Sequence, residues 1–358
     1  MGPIVITGAD CRFFPLVQGT IRSLRDKPQG ANIPLGFLDL GCTPEQLAWV
    51  RSQGAQIVVP QWEFDFPNQE NTPNYLKGLL ARPFFRKYFP GYELYLWIDA
   101  DAWVQEWAAI ELFWAGARRR QGLAIVPEIH GPNDFVSLPG KIPAVLGYGR
   151  QLYRAVFDEA TADLYHIYPI LNAGVFCLHR EAPHWEIWAE NLYQASQKEV
   201  TVMTDQMALH LTVFAGTVPA EIQLPPVMTE TYLRTEFLPG WCNFLIGSHL
   251  PTWDETQQAF VERYLPHQKL GIVHNTGPDK LQRNRVRVPT LQGTAVEVSL
   301  YYPKAVPRAE LIILTGADSQ YFDMVQGTIL SIREKPQGVN IPLGFLDLGC
   351  TPEQLAWV

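Results

Sequence analysis

The segment Leu94-Tyr95-Leu96-Trp97-Ile98-Asp99-Ala100-Asp101 is an apolar run that ends in two aspartates. Its apolar part has the length and composition of a strand that is buried on both faces of a sheet. Asp99 and Asp101 stand two positions apart, so on an extended chain their side chains point to the same side. Carboxylates so placed can hold Mg²⁺ or Mn²⁺, which prefer oxygen ligands and can share their remaining positions with a diphosphate. A polar strand end or an Asp turn is the alternative.

Apolar runs and segments of helical periodicity alternate on both sides of this segment. Strands are predicted over residues 3–7, 33–40, 56–60, 93–98, 123–127 and 170–178, and helices over residues 17–25, 74–88, 142–157, 184–196 and 205–214. The alternation predicts an α/β fold with a mostly parallel central sheet flanked by helices. In such sheets ligands bind beyond the carboxyl ends of the strands, where Asp99 and Asp101 are expected to lie.

A long internal repeat sets the organisation of the chain. Residues 7–50 recur as residues 315–358 with roughly 35 of 44 positions identical, and residues 33–50 return unchanged as 341–358. The period is far too long for a solenoid and is typical of tandem whole domains. We therefore expect a catalytic domain over residues 1–284, a strand pair and linker over 285–308, and the truncated start of a second copy over 309–358.

The net charge, the cysteines and the apolar runs of the chain disfavour nucleic-acid-binding, secreted and membrane-spanning proteins. The chain has 358 residues, 47% of them hydrophobic, and a formal net charge of -8, which disfavours a nucleic-acid partner. Its 5 cysteines form no CxxC pattern, which favours free thiols in a reducing compartment. The first residues lack the pattern of a signal peptide, and no apolar run has the length of a transmembrane segment. We expect a cytoplasmic protein.

A second polar group follows another apolar strand. His274-Asn275-Thr276-Gly277-Pro278-Asp279-Lys280 comes directly after residues 270–273. His274 could complete a metal site, Gly277 could let the backbone approach a phosphate, and Lys280 could neutralise that phosphate. An ordinary strand-to-turn segment with a surface lysine is the alternative.

Together these segments resemble the retaining glycosyltransferases of family 8, which include glycogenin and bacterial lipopolysaccharide galactosyltransferases. The matching segments occur in family order: Thr7-Gly8-Ala9-Asp10, Leu80-Ala81-Arg82, Asp99-Ala100-Asp101, Asn172-Ala173-Gly174-Val175, Asp205-Gln206 and His274-x-x-Gly277-x-x-Lys280. The resemblance covers the first domain and implies a GT-A fold with a Rossmann-like sheet. It also implies a metal-dependent hexosyltransferase that takes its sugar from a UDP-sugar and passes it, with retention, to a glycan, lipid-linked or other hydroxyl acceptor.

The resemblance implies a role for each matching residue. Mn²⁺ or Mg²⁺ would be held by Asp99, Asp101 and His274, and the diphosphate would be bound by Gly277 and Lys280. Uracil and ribose would be contacted by Ala9 and Asp10. The donor sugar would have its hydroxyls bound by Arg82 and Asp205, its pocket lined by Asn172 and Gly174, and Gln206 under its anomeric carbon. One departure is Phe13, where the family often has a tyrosine; the second copy has Tyr321 at that position.

Three other functions are compatible with parts of the pattern. A catalytically inactive GT-A scaffold or carbohydrate-binding module in a tandem array would not need the two aspartates and His274 together. A sugar nucleotidyltransferase needs a glycine-rich, basic loop after the first strand, whereas residues 8–13 contain one glycine and balanced charge. A dinucleotide-dependent dehydrogenase needs GxGxxG after a strand, which the sequence does not contain.

Overall fold

A computed structural model describes residues 2–128, 141–217, 228–247, 250–277, 280–281, 285–302, 313–335 and 343–358, with side chains in the helix 141–156 described from residue 147 onward. The chain forms two compact units, Met1–Tyr302 and Pro303–Val358. Among the described residues, none of the helices combines the length and apolar character that a membrane crossing requires.

The first unit alternates strands and helices, as the sequence predicts. Its strands are β1 Pro3–Ala9, β2 Leu35–Asp39, β3 Ala55–Val58, β4 Leu94–Ile98, β5 Ala102–Val104, β6 Leu123–Pro127, β7 Leu171–His179, β8 Thr235–Phe237, β9 Phe244–Leu245, β10 Thr252–Asp254, β11 Ala259–Val261, β12 Ile272–His274, β13 Val286–Pro289 and β14 Ala295–Val298. Its helices are α1 Phe14–Arg25, α2 Pro44–Ser52, α3 Lys77–Leu80, α4 Phe85–Tyr88, α5 Ala108–Arg120, α6 Lys141–Val156, α7 Glu159–Tyr165, α8 His184–Ser196, α9 Thr204–Phe214 and α10 Glu230–Leu233.

The central sheet has the strand order β3-β2-β1-β4-β7-β6-β8. Every neighbouring pair is parallel except those of β7, which runs antiparallel to both β4 and β6. The predicted mostly parallel sheet is therefore confirmed. Because β7 is reversed, its first residues lie beside the last residues of β4: Val175 pairs with Ile98, and the N–H of Asp99 donates to the carbonyl of Gly174 at 2.8 Å.

Apolar side chains fill both faces of this sheet. On one face Ile6 and Trp97 belong to a cluster that includes residues of α8 and α9. On the other face Val5 and Leu96 join residues of α1 and α5. Helices thus cover the sheet on both sides, which explains why β4 is apolar at every position.

The predicted helix over residues 74–88 is broken in the structure. Helix α3 ends at Leu80, a 3₁₀ turn spans Arg82–Phe84, and α4 begins at Phe85. Pro83 supplies the physical reason, since it has no N–H to donate and disfavours the α-helical conformation of the residue before it. Arg82 is only 3% exposed, so it is not the surface cation of a regular helix.

A small second sheet brings His274 to the edge of the central sheet. Strand β12 runs antiparallel to β5 and parallel to β9, and His274 pairs with Ala102 and with Leu245. Ala102 directly follows Asp101, and the N–H of Asn275 donates to the carbonyl of Asp101 at 2.9 Å. Two chain segments that are far apart in sequence therefore meet at the carboxyl end of β4.

Strands β13 and β14 form an antiparallel pair within residues 285–308, the segment that the sequence predicts to be a strand pair and a linker. Val288 is buried in a cluster with Trp103 and Phe260, against which Val286 and Val296 also pack. This pair belongs to the first compact unit.

The second unit has the same succession of elements as the start of the first unit. It contains β15 Ile313–Ala317, α11 Phe322–Arg333, β16 Leu343–Asp347 and α12 Pro352–Trp357. Strands β15 and β16 are parallel with Ile313 opposite Leu343, the positions that match Val5 opposite Leu35 in β1 and β2. The five cysteines of the chain are free thiols; Cys177 and Cys242 are buried and Cys11 is exposed.

Candidate active site

Three ligand-type side chains converge at the carboxyl end of β4. One ligand atom from each of Asp99, Asp101 and His274 lies within 4.8 Å of the other two. Nε2 of His274 is 3.8 Å from Oδ2 of Asp99 and 3.4 Å from Oδ1 of Asp101. The three residues named from sequence as metal ligands are therefore brought together, with oxygen and imidazole donors suited to Mn²⁺ or Mg²⁺.

Each of the two carboxylates has one oxygen engaged and the other facing His274. Oδ1 of Asp99 accepts from Nη2 of Arg82 at 2.5 Å and from Nε1 of Trp97 at 2.6 Å. Oδ2 of Asp101 accepts from Nζ of Lys280 at 2.7 Å. These bonds orient Oδ2 of Asp99 and Oδ1 of Asp101 toward a common centre.

Lys280 stands beside this centre as a charged partner of Asp101. Burial opposes the charge of Lys280, but the attraction of Asp101 outweighs it and raises the pKa of the lysine. Burial likewise opposes ionisation of Asp101, and the ion pair with Lys280 helps to hold the pKa of that carboxyl below its usual value. Nζ of Lys280 also lies 5.0 Å from the centroid of the Phe13 ring.

Arg82 joins Asp99 to a second buried carboxylate. Its guanidinium forms ion pairs with Asp99 and with Asp205, and the side chains of Arg82 and Asp205 are 4% and 1% exposed. Arg82 also lies over the ring of Trp97, 4.8 Å from its centroid. Burial raises the pKa of Asp205 to about 6, although Arg82 acts in the opposite direction. Nε of Arg82 and Oδ1 of Asp205 have no hydrogen-bond partner in the described part of the chain.

Gly174 leaves the space that the metal-ligand group occupies. A β-carbon at this position would come close to the ring of His274 and to the carboxylate of Asp99. The N–H of Gly174 donates to Oδ1 of Asn172 at 3.0 Å. The reversed direction of β7 places both residues at the same edge of the sheet as Asp99.

Glu128 connects two of the predicted sugar-pocket residues. Its Oε1 accepts from Nδ2 of Asn172 and from Nε2 of Gln206, at 3.0 Å in both cases. Burial raises the pKa of Glu128, against the effect of the two amide donors. The segment 128–132 stands where the family resemblance implies further sugar contacts, but none of its residues matches the family individually. Glu128 directly follows a buried strand, as Asp99 does. Residues 129–132, the continuation of that segment, lie outside the described residues.

Asn243 is a further site residue that the sequence analysis missed. Its Oδ1 is 3.0 Å from Nδ1 of His274, and its Nδ2 donates to Oδ1 of Asn172 at 2.9 Å. Asn243 lies between a short 3₁₀ turn and the two-residue strand β9. Elements this short leave no periodicity in the sequence, so no pattern could have indicated Asn243.

The remaining predicted residues lie around the same edge of the sheet. Strand β1 ends at Ala9, and Oδ1 of Asp10 accepts from the N–H of Phe13 at 2.9 Å. Phe13 is the residue whose ring contacts Lys280. Gly277 follows β12 with φ of 106°, a left-handed conformation that favours glycine.

Several solved structures similar to this chain are glycosyltransferases. The galactosyltransferase LgtC, in complex with donor and acceptor sugar analogues, matches with a TM-score of 0.44 and 15% identity, covering 77% of this chain and 87% of that one. GlyE of Streptococcus pneumoniae matches with a TM-score of 0.42 and 14% identity, covering 97% and 74%. Core-mannan synthase A of Aspergillus fumigatus, in a Mn/GDP form, matches with a TM-score of 0.41 and 10% identity, covering 66% and 73%.

No protein-family model matches the sequence. No curated protein is significantly similar to it. The activity of this chain is therefore inferred from its own side chains.

Proposed function

We propose that the first unit is a GT-A glycosyltransferase domain that moves a hexose, with retention of configuration, from a UDP-sugar to a hydroxyl acceptor. The observation that carries the proposal is the convergence of Asp99, Asp101 and His274 beside Lys280. A divalent cation and a neighbouring lysine are the charges that a leaving diphosphate needs.

The donor set supports a divalent metal ion. Two carboxylate oxygens and one imidazole nitrogen face a common centre, and the opposite oxygens of both carboxylates are already engaged by Arg82 and Lys280. Mn²⁺ accepts such a mixed oxygen and nitrogen set, and Mg²⁺ accepts its oxygen ligands. When bound at Asp99, Asp101 and His274, the ion would supply Lewis-acid stabilisation of the diphosphate leaving group.

The surrounding residues divide into a nucleotide side and a sugar side. Ala9, Asp10 and Phe13 lie at the end of β1 and would receive the uridine, with Lys280 and Gly277 at the diphosphate. The hexose would be received by the ion-paired Arg82 and Asp205 together with Asn172, Gly174 and Gln206. Glu128, held by Asn172 and Gln206, would fix the amides of that pocket in one orientation.

Transfer breaks the bond between the anomeric carbon and the diphosphate oxygen and forms a bond from the same carbon to the acceptor oxygen. Lys280 would stabilise the negative charge that develops on the diphosphate, which leaves as part of UDP. Retention is expected from attack on the same face, with the acceptor hydroxyl passing its proton to the departing phosphate. The amide of Gln206 is a poor nucleophile, so we assign it a place under the anomeric carbon and no covalent role.

The test is UDP release from a panel of UDP-sugars, measured with Mn²⁺ and with EDTA, for the wild type and for Asp101→Asn. Asp163→Asn, at an exposed position paired with Arg150, is the matched control. Release that requires both the metal and Asp101, and that survives in the control, supports the transferase and identifies the donor. If nothing is released, and calorimetry detects no UDP binding with metal, the first unit is instead an inactive scaffold or carbohydrate-binding module.

A further inference from the structure

A chain of hydrogen bonds runs from the backbone of β7 to the metal-facing imidazole. It begins at the N–H of Gly174, passes through the amides of Asn172 and Asn243, and ends at Nδ1 of His274. Asn172, Asn243 and His274 are 6%, 0% and 1% exposed, so water has little access to exchange these bonds. We propose that Asn243 is a positioning residue that fixes the tautomer of His274 and thereby directs the lone pair of Nε2 toward the cation.

The orientation of the Asn172 amide follows from the backbone N–H of Gly174. A backbone N–H can only donate, so the side-chain atom of Asn172 that lies 3.0 Å from the nitrogen of Gly174 must be the oxygen Oδ1. The other end of the Asn172 amide is then Nδ2, a donor. It meets the carboxylate of Glu128, which accepts.

The orientation of the Asn172 amide in turn determines that of the Asn243 amide. The atom of Asn243 that lies 2.9 Å from Oδ1 of Asn172 must be a donor, because an amide oxygen there would face another oxygen. It is therefore Nδ2, and the Oδ1 of Asn243 is left to face His274. Both ends of the Asn243 amide are in this way determined by the peptide N–H of Gly174.

The orientation of the Asn243 amide determines which nitrogen of the His274 ring carries the proton. Nδ1 of His274 lies 3.0 Å from Oδ1 of Asn243, an acceptor, so Nδ1 must carry the hydrogen. In a neutral imidazole the other nitrogen, Nε2, then has a free lone pair. Nε2 faces Oδ1 of Asp101 at 3.4 Å and Oδ2 of Asp99 at 3.8 Å. Three electron-rich atoms thus face one another, which suits a cation between them.

The fold holds Asn243 in the required place. Strand β9 begins one residue later and runs parallel to β12, with Leu245 opposite His274. Asn243 is two residues before Leu245 and therefore points to the same face as His274. The same face of the same small sheet supplies the ligand and the residue that orients it.

This inference rests on the proposed function only in naming a divalent cation; the tautomer itself can be measured without metal or nucleotide. Long-range ¹⁵N–¹H spectra of histidine-labelled protein distinguish a protonated Nδ1 from a protonated Nε2. They are recorded at about pH 8.5, above the ordinary pKa of histidine. The signal of His274 is identified by its loss in His274→Gln. We expect Nδ1–H in the wild type and in Asn243→Asp, whose carboxylate still accepts from Nδ1 although it loses the donor to Asn172. Asn243→Leu should lose this preference.

Mn²⁺ affinity, measured by calorimetry without substrate, is the second readout. We expect Asn243→Leu to bind Mn²⁺ about 10–100-fold more weakly than the wild type, the usual effect of removing a residue that orients a metal ligand. Asn243→Asp should bind more tightly than Asn243→Leu. Asn191→Leu is the matched control, because the hydrogen bond that Asn191 donates joins it to Thr212 between helices α8 and α9; this variant should bind Mn²⁺ as the wild type does.

Two results would overturn the inference. One is a wild-type His274 with its proton on Nε2, a result that does not depend on any variant folding correctly. The other is an Asn243→Leu protein that binds Mn²⁺ as tightly as the wild type. If the wild type binds no divalent cation, the proposed function fails, and the tautomer measurement still decides the role of Asn243.

Discussion

Gly174 lies directly against His274: a β-carbon at residue 174 would come within 2.3 Å of Cε1 of the His274 ring and within 2.7 Å of Oδ2 of Asp99. Side chains in folded proteins do not pack this closely, so the ring and the carboxylate occupy space that only glycine leaves free. The identity of residue 174 is therefore set by the metal-ligand group, whereas the conformation of its own backbone imposes no such requirement.

We expect Gly174→Ala to displace His274 and Asp99 and to weaken Mn²⁺ binding at least about 10-fold, because small shifts of ligands are costly at a metal site. Calorimetric titration with Mn²⁺ measures this effect. Gly147→Ala is the matched control, since a β-carbon at Gly147 meets no heavy atom within 4 Å. Equal Mn²⁺ affinity in Gly174→Ala and the wild type would contradict the assignment of the site.

Lys280→Met should separate metal binding from catalysis. The substitution removes the charge beside Asp101, so we expect the rate of UDP release at saturating donor to fall by about 100-fold. Mn²⁺ affinity without donor should change much less, because Lys280 is not one of the three ligands. Lys269→Met, at a more exposed lysine near Glu106, controls for the loss of a positive charge elsewhere. A variant that releases UDP at the wild-type rate would exclude Lys280 from the diphosphate site.

Arg82→Met should destabilise the protein because it leaves Asp205 buried without its cation. Breaking a buried ion pair costs about 3–5 kcal/mol, which urea unfolding can measure. Arg86→Met provides the comparison: Arg86 pairs with the exposed Glu186, and its loss should cost far less. Equal costs for the two arginines would show that the buried pair contributes no more than the surface pair.

The cost of Arg82→Met should also depend on pH. Burial raises the pKa of Asp205 to about 6, and Arg82 opposes this shift, so the pKa rises further when the arginine is lost. The folded variant then keeps a proton on Asp205 over a wider range than the unfolded chain does. Its stability must therefore fall more steeply than that of the wild type as pH rises above about 6. Unfolding curves at several pH values check the sign.

Two buried histidines should make the fold sensitive to acid. Burial lowers the pKa of His184 to about 3 and that of His210 to about 4, from the ordinary histidine value of 6.5. Below pH 6.5 the unfolded chain binds protons that the folded protein does not. The free energy of unfolding therefore decreases by about 1.4 kcal/mol for each histidine with every unit by which the pH is lowered. The contribution continues down to about pH 4 for His210. The combined His184→Gln and His210→Gln variant should show a shallower loss between pH 6.5 and 4; an unchanged slope would contradict the assignment.

The sequence predicts the central sheet and much of the site because both leave local patterns. Apolar runs mark β1, β4 and β7, and the aspartates after β4 mark the carboxyl edge where Lys280 and His274 also lie. Burial on both faces of the sheet makes the runs of β4 and β7 continuous, so their length is readable from the sequence alone.

Other features depend on contacts that no local pattern encodes. Asn243 acts through a strand of only two residues, and the reversed direction of β7 follows from sheet pairing. The break at Pro83 could have been predicted, because a proline disfavours helix at the residue before it. Arg82 is buried between two carboxylates. One of them, Asp205, lies in helix α9, more than a hundred residues later in the chain.

The reversed direction of β7 also determines where a spectroscopic label can be attached without disturbing the site. Because this strand starts at the ligand edge, its far end lies at the opposite edge of the sheet: the strand runs on from Gly174 to His179, about 17 Å, and Glu181 follows in the turn beyond it. Glu181 is exposed, so Glu181→Cys would carry a fluorophore. The exposed Cys11 would have to be removed first. Serine is the natural substitute, since Ser319 stands at the matching position of the second copy.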